Sequence, residues 1–310
     1  MRHRIPLPEQ LGPEFSVRRA AALGIRRGRA DAADLVRPFH GVRSVAPPES
    51  FRARVDCYLP RMRPEQRFVG RTAVRLWALP LSEAWCVEEE LEVASPQEHS
   101  PPRAAGVRGR RLGAARARTW HLRGAPVVDP VAAVFSCAGE LSVRELVVLL
   151  DALVTGCSHY PGLDEAGRPR LFLHEVETRL DEWGRFRGSG TVRKALRRAR
   201  EGVESPKETE TRLVIVDVGL PEPEVQFVVR DGSRFVARVD LAYPELRIAI
   251  EYEGDGHRTD KAQWRKDIAR QRDLEGCGWL VIRLTQSDLD DPGVFLACLR
   301  RALSSRMITR

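Results

Sequence analysis

Residues 234–253 read RFVARVDLAYPELRIAIEYE, and this stretch decides the fold of the last third of the chain. Apolar and polar residues alternate through 235–242 and again through 246–253, as in two strands joined by a short turn at 243–245. A third strand-like run, VQFVV at 225–229, precedes them. The segment therefore predicts three consecutive strands.

Helical and strand patterns flank these three strands. Residues 207–218 and 259–276 space their apolar side chains three and four positions apart, which predicts two helices. The run WLVIRL at 279–284 is nearly all apolar and predicts a final strand buried on both faces. The predicted order is helix, three strands, helix, strand, within an α+β or α/β fold.

The strand pattern gathers acidic side chains on one face of the sheet. Alternation places Val239 and Leu241 on one face and Asp240 on the other. In the next strand, Glu251 and Glu253 share a face, so neighbouring strands would bring them close to Asp240. Like charges opposite one another destabilise a sheet, so this cluster needs a cation or open water.

Magnesium suits such a cluster, because Mg²⁺ is held by one or two carboxylates together with water and phosphate oxygens. Glu208, on the helix before the strands, could supply a fourth oxygen ligand through water. The alternative is a hairpin whose polar face is simply hydrated.

Several separated motifs of this region resemble the PD-(D/E)XK nuclease superfamily, in the branch that is similar to very-short-patch-repair endonucleases. They are SPKE at 205–208, GLPEPEVQ at 219–226, RVDLAYPELRIAIEYEGDGH at 238–257 and DIARQRDLEGCGWLVIRL at 267–284. The resemblance covers about residues 203–310 and implies a restriction-endonuclease-like domain there.

The resemblance also implies a metal-dependent phosphodiesterase. In such an enzyme Asp240 and Glu251 would bind Mg²⁺, or Mn²⁺ in its place, together with the Tyr252 carbonyl, and Glu208 would hold a metal-bound water. The metal would lower the pKa of that water and offset the charge that builds on the phosphate.

The chain departs from the superfamily pattern at its third catalytic position, where Glu253 stands in place of the usual Lys. An acid there could bind metal or align water, but it brings no positive charge to a phosphate. That role would pass to His257, Lys261 or Arg265. His257 is alternatively a general base or only a loop residue, and Arg283 either contacts phosphate or is only solvated.

The front of the chain carries a helix-turn-helix-sized pattern. Residues 15–43 read FSVRRAAALGIRRGRADAADLVRPFHGVR, in which Ser16 can cap a first helix, Gly24 can end it and a second short helix follows. Two short helices near a glycine turn are also common in ordinary helical proteins.

Residues 14–170 resemble, more loosely, the AbiEi-type antitoxin and regulator family, in which a winged helix-turn-helix binds DNA. The resemblance implies a helical winged-helix-like domain at the front. It makes Arg26, Arg27 and Arg29 candidate DNA contacts, because a recognition helix enters the major groove.

Residues 95–118 are rich in Pro, Gly and Arg, and they predict a loop with a basic patch that includes Arg108, Arg110 and Arg111. This patch either holds a phosphate backbone or is a solvated basic loop. The sequence thus predicts a winged-helix-like region with adjoining helices, a basic linker with a middle helical domain, and a nuclease-like domain, at 1–90, 91–202 and 203–310.

Charge is distributed unevenly along the 310 residues. The chain has 51 basic and 43 acidic residues, of which 17 and 20 fall in 201–310. The first two thirds therefore carry the positive field, which favours an anionic partner there. The sequence shows no signal-peptide core, no membrane-span-length apolar run and no zinc-type cysteine spacing, so a cytoplasmic location without a membrane partner is expected.

These observations together predict a Mg²⁺-dependent DNA endonuclease acting on double-stranded DNA, in phage defence or DNA repair. The alternative is an AbiEi-like, DNA-binding transcriptional regulator whose nuclease-like domain is inactive, a hypothesis that Glu253 keeps open. RNA cleavage and a homodimeric state also stay open.

Overall fold

The computed structural model describes four ranges of the chain, namely 6–156, 159–163, 166–254 and 261–308, with only the backbone described at 261–267. It is a mixed α and β protein that divides into two compact units. The first unit comprises 1–142, 162–168 and 176–192, and the second comprises 143–161, 169–175 and 193–310. The predicted boundaries at 90/91 and 202/203 stay predictions.

The first unit begins with two short helices and a small antiparallel β-pair. Ser16 caps the first helix as predicted, since its hydroxyl accepts a hydrogen bond from the Arg19 N–H at 3.2 Å, and Gly24 follows with a φ of 76°. The second helix is a single turn. The elements are β1 (Glu14–Ser16), α1 (Val17–Ala22), α2 (Arg27–Ala30), β2 (Val42–Ser44) and α3 (Phe51–Tyr58). A winged-helix arrangement stays a prediction.

A five-stranded mixed sheet follows in the same unit, in the order β5-β4-β3-β7-β6. The loop predicted over 95–118 is wrong in part, because 107–111 form a strand parallel to β4. Backbone hydrogen bonds to β4 and the ion pairs of its arginines stabilise this strand, although its sequence has no apolar periodicity. The elements are β3 (Arg67–Phe68), α4 (Gly70–Leu76), β4 (Leu91–Ser95), β5 (Val107–Arg111), β6 (Thr119–Leu122), β7 (Ala125–Val128) and α5 (Pro130–Cys137).

The second unit is built around a four-stranded sheet in the order β11-β10-β9-β8, antiparallel except for the parallel pair β10/β11. The predicted order of helix, three strands, helix and strand is observed from α9 to β11. The remaining elements of the chain, of which α7 and α8 are divided between the two units, are α6 (Val143–Val154), α7 (Leu173–Trp183), α8 (Ser189–Leu196), α9 (Pro206–Asp217), β8 (Glu224–Asp231), β9 (Arg234–Tyr243), β10 (Ile248–Tyr252), α10 (Lys261–Gly276), β11 (Leu280–Leu284), α11 (Gln286–Asp290) and α12 (Gly293–Ile308).

Helices cover both faces of this sheet. Apolar residues of α9 and α12, such as Ile215 and Leu299, pack with Ile250 on one face. Leu274 of α10 packs with Ala249 on the other. Each face therefore has its own core, which fixes the register of the strands.

The last strand differs from its prediction. Leu280 and Arg283 are exposed, and β11 lies at the edge of the sheet, so burial on both faces is wrong. A nearly continuous apolar run is typical of an inner strand whose two faces are covered. Strand β11 pairs with β10 alone, so it is an edge strand.

A buried ion pair joins α6 to α9 inside the second unit. Asp151 and Arg212 are both almost fully buried, and Arg212 Nη2 donates to the Asp151 carboxylate at 2.9 Å. Thr209 Oγ1 and the Arg200 N–H also donate to this carboxylate, at 2.8 and 2.7 Å. Burial raises the pKa of Asp151 to about 6, and Arg212 opposes that shift.

None of the helices within the described residues has both the length and the apolar character needed to cross a membrane.

Candidate active site

The carboxylates predicted to share a site come from three elements of the second unit. Glu208 lies in the first turn of α9, Asp240 in β9 and Glu251 in β10, and Glu208 and Glu251 are buried. The SPKE motif explains the start of α9, since the Ser205 hydroxyl accepts a hydrogen bond from the Glu208 N–H at 3.3 Å and Pro206 takes the first helical position. This start fixes Glu208 in the first turn.

Asp240 lies where the strand alternation breaks. Val239 packs with the core beneath α10 and Leu241 with the core beneath α9 and α12, so the prediction that they share a face is wrong. Opposite Asp240 on β8 stands Gln226, whose φ of 50° lies in the left-handed region. Non-glycine residues in this conformation are strained and concentrate at functional sites.

The break gives the Asp240 carboxylate a defined position. The Tyr252 N–H, at the end of β10, donates to Asp240 Oδ2 at 3.0 Å, and Asp240 therefore bridges two strands. The strained Gln226 uses its side chain in the same region, donating from Nε2 to Glu208 Oε2 at 2.8 Å. The Glu204 N–H donates to the same Glu208 oxygen at 3.0 Å.

The charge of Asp240 acts on both of the other carboxylates. Burial first, and then the charge of Asp240, raise the pKa of Glu208 to about 7. Burial also raises the pKa of Glu251, with Asp240 and Glu253 adding to the shift and Arg270 opposing it. The pKa of Asp240 is raised by burial too. Asp240 is thus the electrostatic centre of the cluster.

Arginine side chains already neutralise part of this acidity. Arg270 of α10 donates from Nη2 to Glu251 Oε1, and also to the Arg238 carbonyl at 3.1 Å. Arg283 of β11 donates to Glu253 Oε1 at 2.5 Å. Glu253 is exposed and lies past the end of β10, and among the described side chains Arg283 is its ion-pair partner.

Asp240 lines a cleft of about 550 Å³ on the α10 side of the sheet, together with Gln226 and Arg270, which bind the Glu208 and Glu251 carboxylates. The cleft joins basic, acidic and apolar side chains, including the exposed aromatic ring of Phe235. It is lined by His159, Gln226, Phe235, Val236, Ala237, Arg238, Asp240, Ala269, Arg270 and Asp273.

The described side chains offer a small set of oxygen ligands for a metal ion. Among the side chains that the structure describes, no group of three or more His, Cys, Asp or Glu is arranged to hold a metal ion. Mg²⁺ is commonly held by only one or two carboxylates plus water and substrate oxygens. Asp240, which is half-buried, and Glu251, which is buried and whose pKa Asp240 raises, fit that smaller donor set.

The front-end candidates are only partly available to DNA. Arg26 and Arg27 are exposed at the start of α2, where Arg27 lies 3.5 Å from Asp31. Arg29 is held by Asp34 through two hydrogen bonds of 3.1 and 3.2 Å, and its side chain is mostly buried. Two of the three arginines are therefore exposed, and DNA contact by any of them stays a prediction.

The basic patch on β5 is similarly divided. Arg108 pairs with Glu140 at 2.7 Å, and Arg110 contacts both Glu92 and Glu140, at 2.5 and 2.9 Å. Arg111 is exposed and donates to a backbone carbonyl, that of His99, at 3.5 Å. Internal ion pairs thus reduce the positive field of this patch.

The remaining candidates lie at or beyond the edge of what is described. His257 falls outside the described residues, as do the side chains of Lys261 and Arg265. Arg283 is described and pairs with Glu253, as above.

Sequence reasoning missed several residues of the cleft. Glu204, Arg238 and His159 form a connected group, and Gln226 and Arg270 each hold one of the predicted carboxylates. Gln226, Arg238 and Arg270 stand in the quoted motifs, which assigned them no part in the site, and the other two, Glu204 and His159, lie outside those motifs. The others meet through tertiary packing, for which a single sequence carries no signal.

We expect Glu208→Gln to stabilise the metal-free protein at about pH 8, because Gln keeps an oxygen for both donors and removes the buried charge. Glu208 titrates at about 7 in the folded state against 4.5 in the unfolded chain. The folded state therefore binds the extra proton between these values, and stability falls as pH rises through this window. The free energy of unfolding of the variant should exceed that of wild type by at most about 3 kcal/mol at this pH.

Urea unfolding of wild type and Glu208→Gln at about pH 8 and about pH 4 checks this expectation. The gain should disappear at the acidic pH, where Glu208 is protonated in both states. An equal gain in the free energy of unfolding at both pH values would show that the charge of Glu208 does not cause the effect.

Comparisons with known proteins give relatives without a described function. The chain is 34% identical over 143 residues to proteins of Mycobacterium tuberculosis, strains CDC 1551 and H37Rv, both named only as uncharacterized. The match covers 46% of this chain and 53% of each relative, so the chain spans about half the length of the curated relatives it matches. No family model matches the chain. No solved structure matches it either.

Proposed function

We propose that this protein is a Mg²⁺-dependent DNA endonuclease whose reacting centre is the acidic cleft of the second unit. The observation that carries the proposal is that Asp240, which lines an open cleft, acts electrostatically on two buried carboxylates, Glu208 and Glu251. Perturbed carboxylates in a cleft are a recognised mark of a functional site.

Asp240 and Glu251 would hold the cation. A bound Mg²⁺ supplies an activated water and offsets negative charge on a phosphate. Tyr252 orients Asp240 through its N–H, and Arg270 orients Glu251. These contacts hold both carboxylates in fixed positions before a substrate binds.

Glu208 is suited to move a proton in this reaction. Its pKa of about 7 places the carboxyl between its two protonation states near neutral pH, where a general acid or base is most effective. Gln226 and the Glu204 N–H hold its Oε2 atom and so fix its orientation. Glu208 would accept a proton from the attacking water as the new P–O bond forms. The P–O bond to the leaving sugar oxygen would break, and that oxygen would take a proton from solvent.

DNA would reach this centre through the positive field of the first two thirds of the chain, which holds 34 basic and 23 acidic residues. Exposed Arg26, Arg27 and Arg111 are the described candidates for phosphate contacts there. A double-stranded DNA partner, the winged-helix assignment and a role in phage defence or repair belong to the same proposal.

A second candidate function is a DNA-binding regulator with an inactive nuclease-like domain. The observation in its favour is that Arg270 and Arg283 already neutralise Glu251 and Glu253. A site whose acids are paired internally has less need of a cation.

Incubation of the purified chain with supercoiled DNA, linear duplex and RNA, in Mg²⁺, Mn²⁺ or EDTA, tests the proposal. Metal-dependent cutting of DNA is the expected result. Retarded migration of DNA in gels without cutting in any metal would favour the regulator, and preferential cutting of RNA would reassign the substrate.

A further inference from the structure

Glu204 is a buried carboxylate whose partners Arg238 and His159 line the cleft, and the proposed reaction assigns it no task. Glu204 precedes α9, and its side chain is only 7% exposed. Its Oε2 atom accepts a hydrogen bond from Arg238 Nη2 at 2.8 Å and lies 3.5 Å from His159 Nδ1. A buried carboxylate normally needs such cationic partners, because an unpaired buried charge is strongly unfavourable.

The two partners of Glu204 face the cleft. The side chains of Arg238 and His159 are 45% and 75% exposed, and both line the cleft beside Asp240. His159 is anchored a second time, since its N–H donates to the Glu204 carbonyl at 2.9 Å. The buried acid therefore positions two exposed hydrogen-bond donors at the mouth of the site.

Arg238 and His159 lie where the site lacks a positive charge. Residue 253 is an acid, and Arg283 is engaged by it. Arg270 is likewise engaged, by Glu251. Arg238 stands two residues before Asp240 on β9, so its exposed guanidinium lies next to the proposed reacting centre. A guanidinium has the fork geometry that matches phosphate oxygens.

We propose that Arg238 and His159 form a phosphate-binding subsite of the cleft, with Glu204 as its positioning residue. The ligand is the sugar-phosphate backbone of the DNA strand that enters the cleft. This inference rests on the proposed function for its substrate, and it assigns the positive charge missing at position 253 to Arg238.

The salt dependence of DNA binding tests the subsite without any cleavage. Fluorescence anisotropy of a short labelled duplex of mixed sequence gives Kd at several salt concentrations, in Ca²⁺ and in EDTA. Each phosphate contact contributes about 0.9 to the slope of log K against log salt. Arg238→Gln should lower the slope by about 1 and weaken binding about tenfold, and His159→Gln should weaken binding to a smaller extent.

Arg230→Gln is the matched control. Arg230 is exposed on β8, in the same hairpin, donates to the Ser233 carbonyl at 3.4 Å and does not line the cleft. The control should keep the wild-type slope. An unchanged slope in Arg238→Gln, or an equal loss in both variants, would overturn the subsite.

A double-mutant cycle tests the role of Glu204. If Glu204 acts through Arg238, then Glu204→Gln weakens DNA binding in the wild-type background but adds no further loss to Arg238→Gln. Losses that add in the double variant would show that Glu204 acts independently.

Failure of this subsite is distinguishable from failure of the proposed function. A reduced salt slope of DNA binding in Arg238→Gln, together with no cleavage by wild type, would support the subsite and reject the nuclease. Metal-dependent cleavage with an unaltered slope would keep the nuclease and reject the subsite.

Discussion

Asp240→Asn is expected to reduce metal-dependent DNA cleavage by about 10³-fold, the largest functional effect of any single change in the cleft. Asn keeps an oxygen that can accept the Tyr252 N–H, so the local fold should persist. It removes the charge that raises the pKa of both Glu208 and Glu251. The cleft would then lose the charge that attracts a cation.

Single-turnover cleavage of labelled duplex by equal amounts of wild type and variant measures this loss. Asp231→Asn is the matched control, because Asp231 is an exposed aspartate of the same sheet whose partner, Arg234, is also exposed. The control should retain wild-type activity. A variant Asp240→Asn that cuts as fast as the control would remove Asp240 from the reacting centre.

Arg212→Met is expected to destabilise the protein by about 3–5 kcal/mol at about pH 8, which is the cost of leaving a buried carboxylate without its ion partner. Asp151 would keep only the hydroxyl and N–H donors of Thr209 and Arg200. The loss should shrink at about pH 5, because the raised pKa of Asp151 lets it bind a proton there and become neutral.

Urea unfolding measures this effect, and two further variants define its cause. Lys207→Met removes a half-exposed ion pair with Glu210 on the same helix and should change stability by less than about 1 kcal/mol. Adding Asp151→Asn to Arg212→Met should restore part of the loss, since the buried charge is then gone. If the double variant is no more stable than Arg212→Met, lost packing rather than charge explains the effect.

Local sequence signals predicted much of the second unit. Ser205 and Pro206 mark the start of α9, and the Pro244 turn joins β9 to β10 as expected. Such signals act over a few residues, which is why they can be read from one chain. The strand β5 escaped prediction because its pairing with β4 and its Glu partners are distant in sequence.

The candidate site was predicted less completely than the elements that carry it. The residue types Glu208, Asp240 and Glu251 stand out in the motifs, but the strained φ of Gln226, which accompanies the break in alternation at Asp240, has no sequence signature. The ion pairs made by Arg270 and Glu204 link segments 19 and 34 positions apart. Such contacts follow from the tertiary fold, and they decide how much acidity the cleft retains.

The most direct test of the central claim is a titration of the metal-free protein with Mn²⁺, followed by the paramagnetic signal of free Mn²⁺. This measurement is independent of which DNA sequence or structure the protein prefers. It also separates the nuclease from the inactive regulator, because the arginine-paired acids of the regulator would bind no cation. We predict saturable binding to wild type that Asp240→Asn abolishes and Asp231→Asn retains. Absence of binding to wild type, or equal binding to wild type and Asp240→Asn, would contradict a metal centre at Asp240 and Glu251.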